Sequence, residues 1–151
     1  MLSKKSQYAL YALVHLARKY QQGPVLISTI ASEEKIPQKF LEAILMDTKR
    51  MGITNSKKGK GGGYYLLMPP EKINLAFAIR SFEGAIALLP CSAKVYYESC
   101  TQCKDENTCG LRGVFKELRD ATEAYLRNVT IADVLEKENV LEGLFGKKQF
   151  T

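Results

Sequence analysis

The stretch Ile53–Met68, ITNSKKGKGGGYYLLM, decides how this chain folds. It reads as a short strand, a tip of lysines and glycines, and a second strand carrying Tyr64, Tyr65, Leu66 and Leu67. That is a β-hairpin. Lys57, Lys58 and Lys60 stand at its tip, and Gly59, Gly61, Gly62 and Gly63 allow backbone to approach a phosphate chain closely. A nucleotide-binding loop is also glycine-rich, but no lysine-serine pair follows here and no strand runs into a helix.

The residues before the hairpin give it a context. In LISTIASEEKIPQKFLEAILMDTKRMGIT, Ser28 is placed to cap a short helix running to about Glu34, and Lys35-Ile36 turns the chain. Pro37 opens a second helix that Gly52 closes. Ile30, Ala31, Ile36, Leu41, Ile44 and Leu45 form a shared apolar seam, while Gln38, Lys39, Glu42 and Lys49 remain polar. An ordinary helical hairpin has the same periodicity. A lysine-tipped hairpin directly after it favours a winged helix-turn-helix, with one helix free to enter a major groove. SQYALYALVHLARKY supplies the preceding helix, and His15, with no cysteine or carboxylate near it in sequence, is read as a packing residue.

The charge is distributed to match. The chain has a net charge of +6, yet residues 1–68 carry 11 Lys/Arg against 4 Asp/Glu and residues 69–151 carry 11 against 12. A basic excess confined to one part of a small protein is the footprint expected for nucleic acid, although a merely solvated basic surface has the same composition. No charged and apolar leader opens the chain, and Arg18 and Lys19 interrupt the first apolar helix. The expectation is a cytoplasmic protein that is not a membrane partner. No catalytic triad or paired-carboxylate motif is present, so the chain is not expected to be an enzyme.

Beyond the hairpin, Pro69 and Pro70 end the wing, Asn74 caps a helix from Leu75 to Phe82, and Gly84 stops it. GLRGVFKELRDATEAYLRNV repeats apolar or small residues at three and four for about five turns. Such a helix packs on a symmetry mate or on the chain's own first helix. TIADVLEKENV reads as a short helix capped by Thr130, and the tail from Glu142 has little pattern. The fold class is therefore mainly α, a winged helix-turn-helix with a small β-hairpin wing and a long C-terminal dimerisation helix. Its expected division is a DNA-binding domain at 1–68, a connecting helix at 69–90, a cysteine sensor loop at 91–110 and a dimerisation segment at 111–151.

All four cysteines, Cys91, Cys100, Cys103 and Cys109, fall in one stretch between the two helical parts. A chain of 151 residues buries a core without covalent staples, and clustered cysteines in a reducing compartment serve as metal ligands or redox thiols. Thiolates hold iron-sulfur clusters. Four cysteines also suit zinc, though a single C-x2-C is a partial zinc motif, and a metal-free thiol switch is the third reading.

SQYALYALVHLA, KGKGGGYYL, FEG and CGLRGVFKELRDAT…VTIADVL together resemble the winged-helix repressors typified by the iron-sulfur regulator IscR, the nitric-oxide-sensing repressor NsrR and the cysteine-metabolism repressor CymR. The resemblance implies a homodimer whose wings straddle a palindromic operator in double-stranded DNA. It places Pro37, Gln38, Lys39, Phe40 and Glu42 at the groove, with Glu42 able to accept from a cytosine amino group. Lys57, Lys58 and Lys60 would serve phosphates or the minor groove, with Gly61 and Gly62 beside them in the wing; Ser3, Lys4, Lys5 and Tyr8 would bind the DNA backbone, and Ser28 is a further DNA-binding candidate. For the cofactor it implies an iron-sulfur cluster, 2Fe-2S ahead of 4Fe-4S, with none or zinc as alternatives. Cys91 and Cys109 match the family's outer ligands, and Cys100 or Cys103 the middle one. Arg112 stands where IscR-like members have a ligating histidine, which leaves the fourth ligand open.

Overall fold

The computed structural model describes residues 1–146. Helix α1 (Lys4–Arg18) opens on Ser3, whose side chain accepts from the Ser6 amide, and buries Ala9, Ala12, Leu13, Leu16 and Ala17. Helices α2 (Ile27–Glu33) and α3 (Gln38–Arg50) meet through a turn in which Lys35 takes a φ of 53°. Ile30, Ile36, Leu41, Ile44 and Leu45 are at most 3% exposed, so the predicted seam is the centre of the core. Buried Thr48 and Thr54 share a 2.8 Å hydroxyl hydrogen bond that seals the end of α3 to the wing.

The wing is an antiparallel pair, β1 (Thr54–Lys57) and β2 (Gly63–Leu66), in register from Thr54 opposite Leu66 to Lys57 opposite Gly63. A third segment fastens it. The Val25 amide donates to the Tyr64 carbonyl at 2.7 Å, and the Tyr64 amide to the Val25 carbonyl at 2.8 Å. This bridge sets the wing's angle to the helices. It also explains why α2 starts where it does: the Leu26 carbonyl already accepts from the Thr29 and Ile30 amides, and Leu26 is the cap. Ser28 is therefore inside the first turn and is not the N-cap that the sequence favoured.

After a 3-10 turn at Pro70–Lys72, helix α4 (Leu75–Glu83) is capped by the Asn74 side chain and stopped at Gly84, as expected. The cysteine segment that follows holds one 3-10 turn, Pro90–Ser92. Helix α5 (Gly110–Asn128) then leads to α6 (Ile131–Phe145), which opens on a reciprocal capping box between Thr130 and Asp133. Helix α6 is longer than the predicted short helix and takes in the first residues of the tail, Glu142 to Phe145; residues 147–151 lie outside the described ones. Helix α6, not α5, packs on α1, while α5 packs on α4 and the Pro90–Ser92 turn.

Ion pairs knit these helices. Arg18 of α1 reaches Glu34 beside α2 at 2.9 Å and Glu138 of α6 at 2.7 Å. His15, 3% exposed, has Nδ1 2.8 Å from the same Glu34, in keeping with a packing role. The hydrogen bond with His15, followed by the charge of Arg18, holds the Glu34 carboxyl below the usual carboxylate range against the opposing effect of burial.

Gly63 is the residue that this arrangement tolerates least well changed. Its φ is 140°, and a β-carbon would lie inside van der Waals distance of the Val25 carbonyl and 2.9 Å from the Leu26 nitrogen. Gly63→Ala is expected to lower the urea unfolding free energy by about 2 kcal/mol, since the clash is with backbone that is itself hydrogen-bonded. Gly113→Ala on the open side of α5, where a β-carbon meets nothing within 4 Å, should instead raise it by about 0.5–1 kcal/mol.

Candidate nucleic-acid interface and cysteine segment

Helix α3 buries Leu41, Ile44, Leu45 and Thr48 and turns the opposite side outward. Gln38, Lys39, Phe40 and Glu42 are all exposed, with Pro37 as the N-cap. Gln38 Nε2 donates to Glu42 Oε1 at 3.3 Å, which presents the carboxylate in a defined position. Phe40 lies on the flank nearest α1, edge-on to Tyr8 with ring centroids 6.3 Å apart. The outward face also contains Ala43, Met46 and Arg50, which the reading of polar positions passed over. Helical geometry was the signal available: 39, 43, 46 and 50 recur at four, three and four, opposite the buried residues.

Lys57, Lys58, Lys60 and Gly61 are exposed at the wing, whereas Gly62 is buried beneath the tip and its amide donates to the Gly59 carbonyl at 3.0 Å. Glycine at position 62 therefore serves the hairpin itself. Lys49 of α3 donates to Ser56 of β1 at 2.7 Å, joining helix and wing. At the start of α1, Ser3 and Lys4 are exposed, while Lys5 pairs with Asp47 of α3 at 2.8 Å and lies 5.7 Å from the Phe82 ring centroid. Ser28 is exposed on α2. The predicted DNA-facing residues thus come from α1, α2, α3 and the wing.

The cysteine segment is tied to α5 near both of its ends. Cys109 is the N-cap of α5, and its Sγ accepts from the Arg112 amide at 3.5 Å. Arg112 Nε donates to the carbonyl of buried Cys91 at 2.9 Å, and its guanidinium also reaches Glu106. Arg119, 8% exposed, donates to the Ser92 carbonyl. Lys94 pairs with Asp120 at 2.9 Å and Glu123 at 2.8 Å. Tyr96, at a φ of 57°, lies over Gly84, where a β-carbon would meet its Cε2 at 2.6 Å.

From α5 the ties pass to α4 and α1. Glu123, 5% exposed, also binds Arg80 of α4, and Arg127 is 3.7 Å away. Burial pushes the Glu123 carboxyl up, but hydrogen bonds from Lys94 and Arg80 outweigh it and hold the group below the usual glutamate range. At the far end of α4, Glu83 accepts from the Ser3 amide at 2.6 Å, next to the first turn of α1.

Cys91 is buried, Cys100 exposed, and Cys103 and Cys109 half-buried. Burial, then the charges of the neighbouring Cys109 and Cys100 thiols, push the Cys103 thiol up. In kind, four thiols suit a thiolate-held cluster. In position, no group of three or more His, Cys, Asp or Glu side chains among the described residues is arranged to hold a metal ion.

Comparison with known proteins agrees with this arrangement. A curated relative, an HTH-type transcriptional regulator described as rrf2-like from Rhodobacter capsulatus, is 35% identical over 142 residues, covering 92% of this chain and 95% of that one. The regulator IscR of Yersinia pseudotuberculosis is 26% identical, over 93% of this chain and 82% of its own. Among solved structures, CymR, the global cysteine regulator of B. subtilis, superposes with a TM-score of 0.75 at 26% identity over 91% of this chain and 97% of that one. The fold of T. potens IscR matches with a TM-score of 0.72 at 23% identity, over 91% of this chain and 88% of that one. The family model described as Rrf2, iron-dependent transcriptional regulator, matches residues 2–137. With its winged helix, its cysteine segment and helix α5 inside that match, the chain belongs to the Rrf2 family of transcriptional regulators and is not an enzyme.

Proposed function

We propose that the protein is a cytoplasmic, homodimeric repressor that binds a palindromic operator in double-stranded DNA, with its affinity set by an iron-sulfur cluster at the cysteine segment. The observation that carries this reading is the place of Cys109: the last candidate ligand is the residue that caps α5. Leu111, Val114, Leu118 and Tyr125, 69%, 61%, 44% and 63% exposed, form an apolar stripe on that helix, which a second copy would cover. No helix of the described residues is long and apolar enough to cross a membrane, so the stripe is not read as a lipid-facing span.

Cys91 and Cys109, with Cys100 or Cys103 between them, would hold the cluster, 2Fe-2S ahead of 4Fe-4S, and the cluster would supply sensitivity to oxidants, nitric oxide or iron status. The chain's own residues carry the consequence. Arg112, Arg119 and Lys94 hold the segment to α5, so closing or opening it displaces the start of α5. Arg80 and Glu123 pass the displacement to α4, and Glu83 passes it to Ser3 at the head of α1. In a dimer the same shift alters the separation of the two α3 helices. A tenfold change in operator affinity takes about 1.4 kcal/mol of difference between the two states.

A metal-free thiol switch is the second reading, favoured by four free cysteines that form no group of three or more ligand-type side chains among the described residues. Anaerobic purification with iron, sulfide and zinc counts, followed by gel shift on the gene's own upstream region, separates the two. The cluster reading expects visible charge-transfer absorption, iron and sulfide in equal amounts, and a shift that changes when the cofactor is removed. Stoichiometric zinc with no absorption would sink it. A colourless, metal-free protein whose shift responds to thiol oxidants would establish the second reading, and no shift in any state would end the repressor proposal.

The ties through Glu123 have an acid signature. Because the folded carboxyl is held below the usual value of about 4.3, their contribution is complete above that pH and is lost as pH falls through the lowered value. Glu123→Gln is expected to cost about 1 kcal/mol at pH 7 in urea unfolding, its partners Arg80, Lys94 and Arg127 being 35%, 49% and 57% exposed, and to flatten the loss of stability between pH 5 and pH 3.

A further inference from the structure

We infer that α3 reads thymine by its 5-methyl group, with Ala43 and Met46 as the contacting side chains. This rests on the proposal that α3 enters the major groove. The middle of the outward face is the row Lys39, Ala43, Met46 and Arg50, opposite Leu41, Ile44, Leu45 and Thr48. Both apolar members are solvent-facing, and Met46 is 50% exposed. Lys39 and Arg50 lie at the two ends of the row and Lys49 beside it. Asp47, on the flank, is occupied by Lys5 at 2.8 Å and Arg50 at 3.5 Å, so its charge is offset.

Charge selects the occupant. An apolar partner helix laid on Ala43 and Met46 would cover Lys39 and Lys49 and, with them, Lys57, Lys58 and Lys60 of the adjoining wing, cations with no acidic partner among the described residues. A nucleic acid duplex supplies phosphates for the cations and base edges for the centre. Neither Ala43 nor Met46 donates a hydrogen bond, and Met sulfur is at most a weak acceptor. The apolar group that ordinary bases present in the major groove is the thymine methyl. Glu42, positioned by Gln38 at 3.3 Å, adds one acceptor beside this centre. Ala43 lies nearer the helix start than Met46 by about one turn, so the two would meet different thymines of one half-site.

The test uses the full-length protein and a duplex that it selects for itself from a random library at fixed salt. Each thymine of the selected half-site is replaced singly by deoxyuridine, which removes the methyl and leaves the hydrogen-bonding edge intact. At one or two positions uridine is expected to weaken binding about fourfold, the effect of one buried methyl-sized group. Met46→Ala should bind the wild-type duplex and the uridine duplex equally at one of those positions, and Ala43→Gly at the other. Both side chains are exposed, and thermal melts check that each variant folds. Uridine without effect at every position, or variants that discriminate as the wild type does, would overturn the inference while leaving DNA binding intact. Failure to enrich any sequence would instead remove the DNA-binding proposal, and the inference with it.

Discussion

Asn74 and Thr130 face each other across an isolated antiparallel bridge, and the placement of the C-terminal half depends on it. The Leu75 amide donates to the Val129 carbonyl at 2.8 Å and the Ile131 amide to the Ile73 carbonyl at 2.9 Å. Both bridge residues are also helix caps, Asn74 for α4 and Thr130 for α6. Ile73 and Ile131, the residues before and after these caps, are fully buried. One pair of backbone contacts thus starts two helices, closes the chain segment that contains α4, the cysteines and α5, and directs α6 back onto α1. Since caps are each worth about 1 kcal/mol and the two isoleucines about 2–3 kcal/mol apiece, the junction is among the most stable parts of the molecule.

The stability of that junction leaves the segment it closes free to be less stable. Between Gly84 and Cys109 the described secondary structure is a single 3-10 turn, and the side chains from Lys94 to Gln102 are exposed. What holds the segment comes largely from α5: cationic side chains on two backbone carbonyls, and acidic ones on Lys94. The helix that carries the candidate dimer stripe therefore also carries the inventory of side chains that grip the cysteines. The stripe and the grip occupy different faces of α5, as the helical spacing of Leu111, Val114, Leu118 and Tyr125 against Arg112, Arg119 and Glu123 requires.

The parts of this architecture that were legible in the sequence are those whose cause is local. Gly63 and the lysine-glycine tip announce the hairpin, Asn74 and Thr130 announce their helices, and the seam from Ile30 to Leu45 is set by periodicity alone. Ser28 misled because a good capping side chain was outcompeted by a tertiary constraint, the Val25 bridge that makes the Leu26 carbonyl the first acceptor. Helix α6 exceeds its sequence expectation because its later apolar residues, Val140, Leu141, Leu144 and Phe145, are exposed and do not continue a buried stripe. Arg119 and Glu123 carry no sequence signal for burial; both are made tolerable by partners 27 and 43 residues away, Ser92 and Arg80. Ala43 and Met46 were passed over because an apolar residue on a helix is normally assigned to the core, and only the three-dimensional face shows them turned outward.

On the proposed reading, the cysteine segment has to change shape at a cost small enough for chemistry at the cysteines to supply. Lys94 is half exposed and pairs with half-exposed Asp120 and with buried Glu123, so solvent screens the first pair more than the second. The core beneath α3 belongs to another scale: Leu41, Ile44 and Leu45 are fully buried, and disturbing them would cost several kcal/mol and unfold the domain. On that reading, a shift starting at the cysteines travels as movement of intact helices along the polar ties from α5 to α4 to α1. The recognition surface of α3 then keeps its shape while its position relative to a partner changes, which allows affinity to be regulated without altering which bases are read.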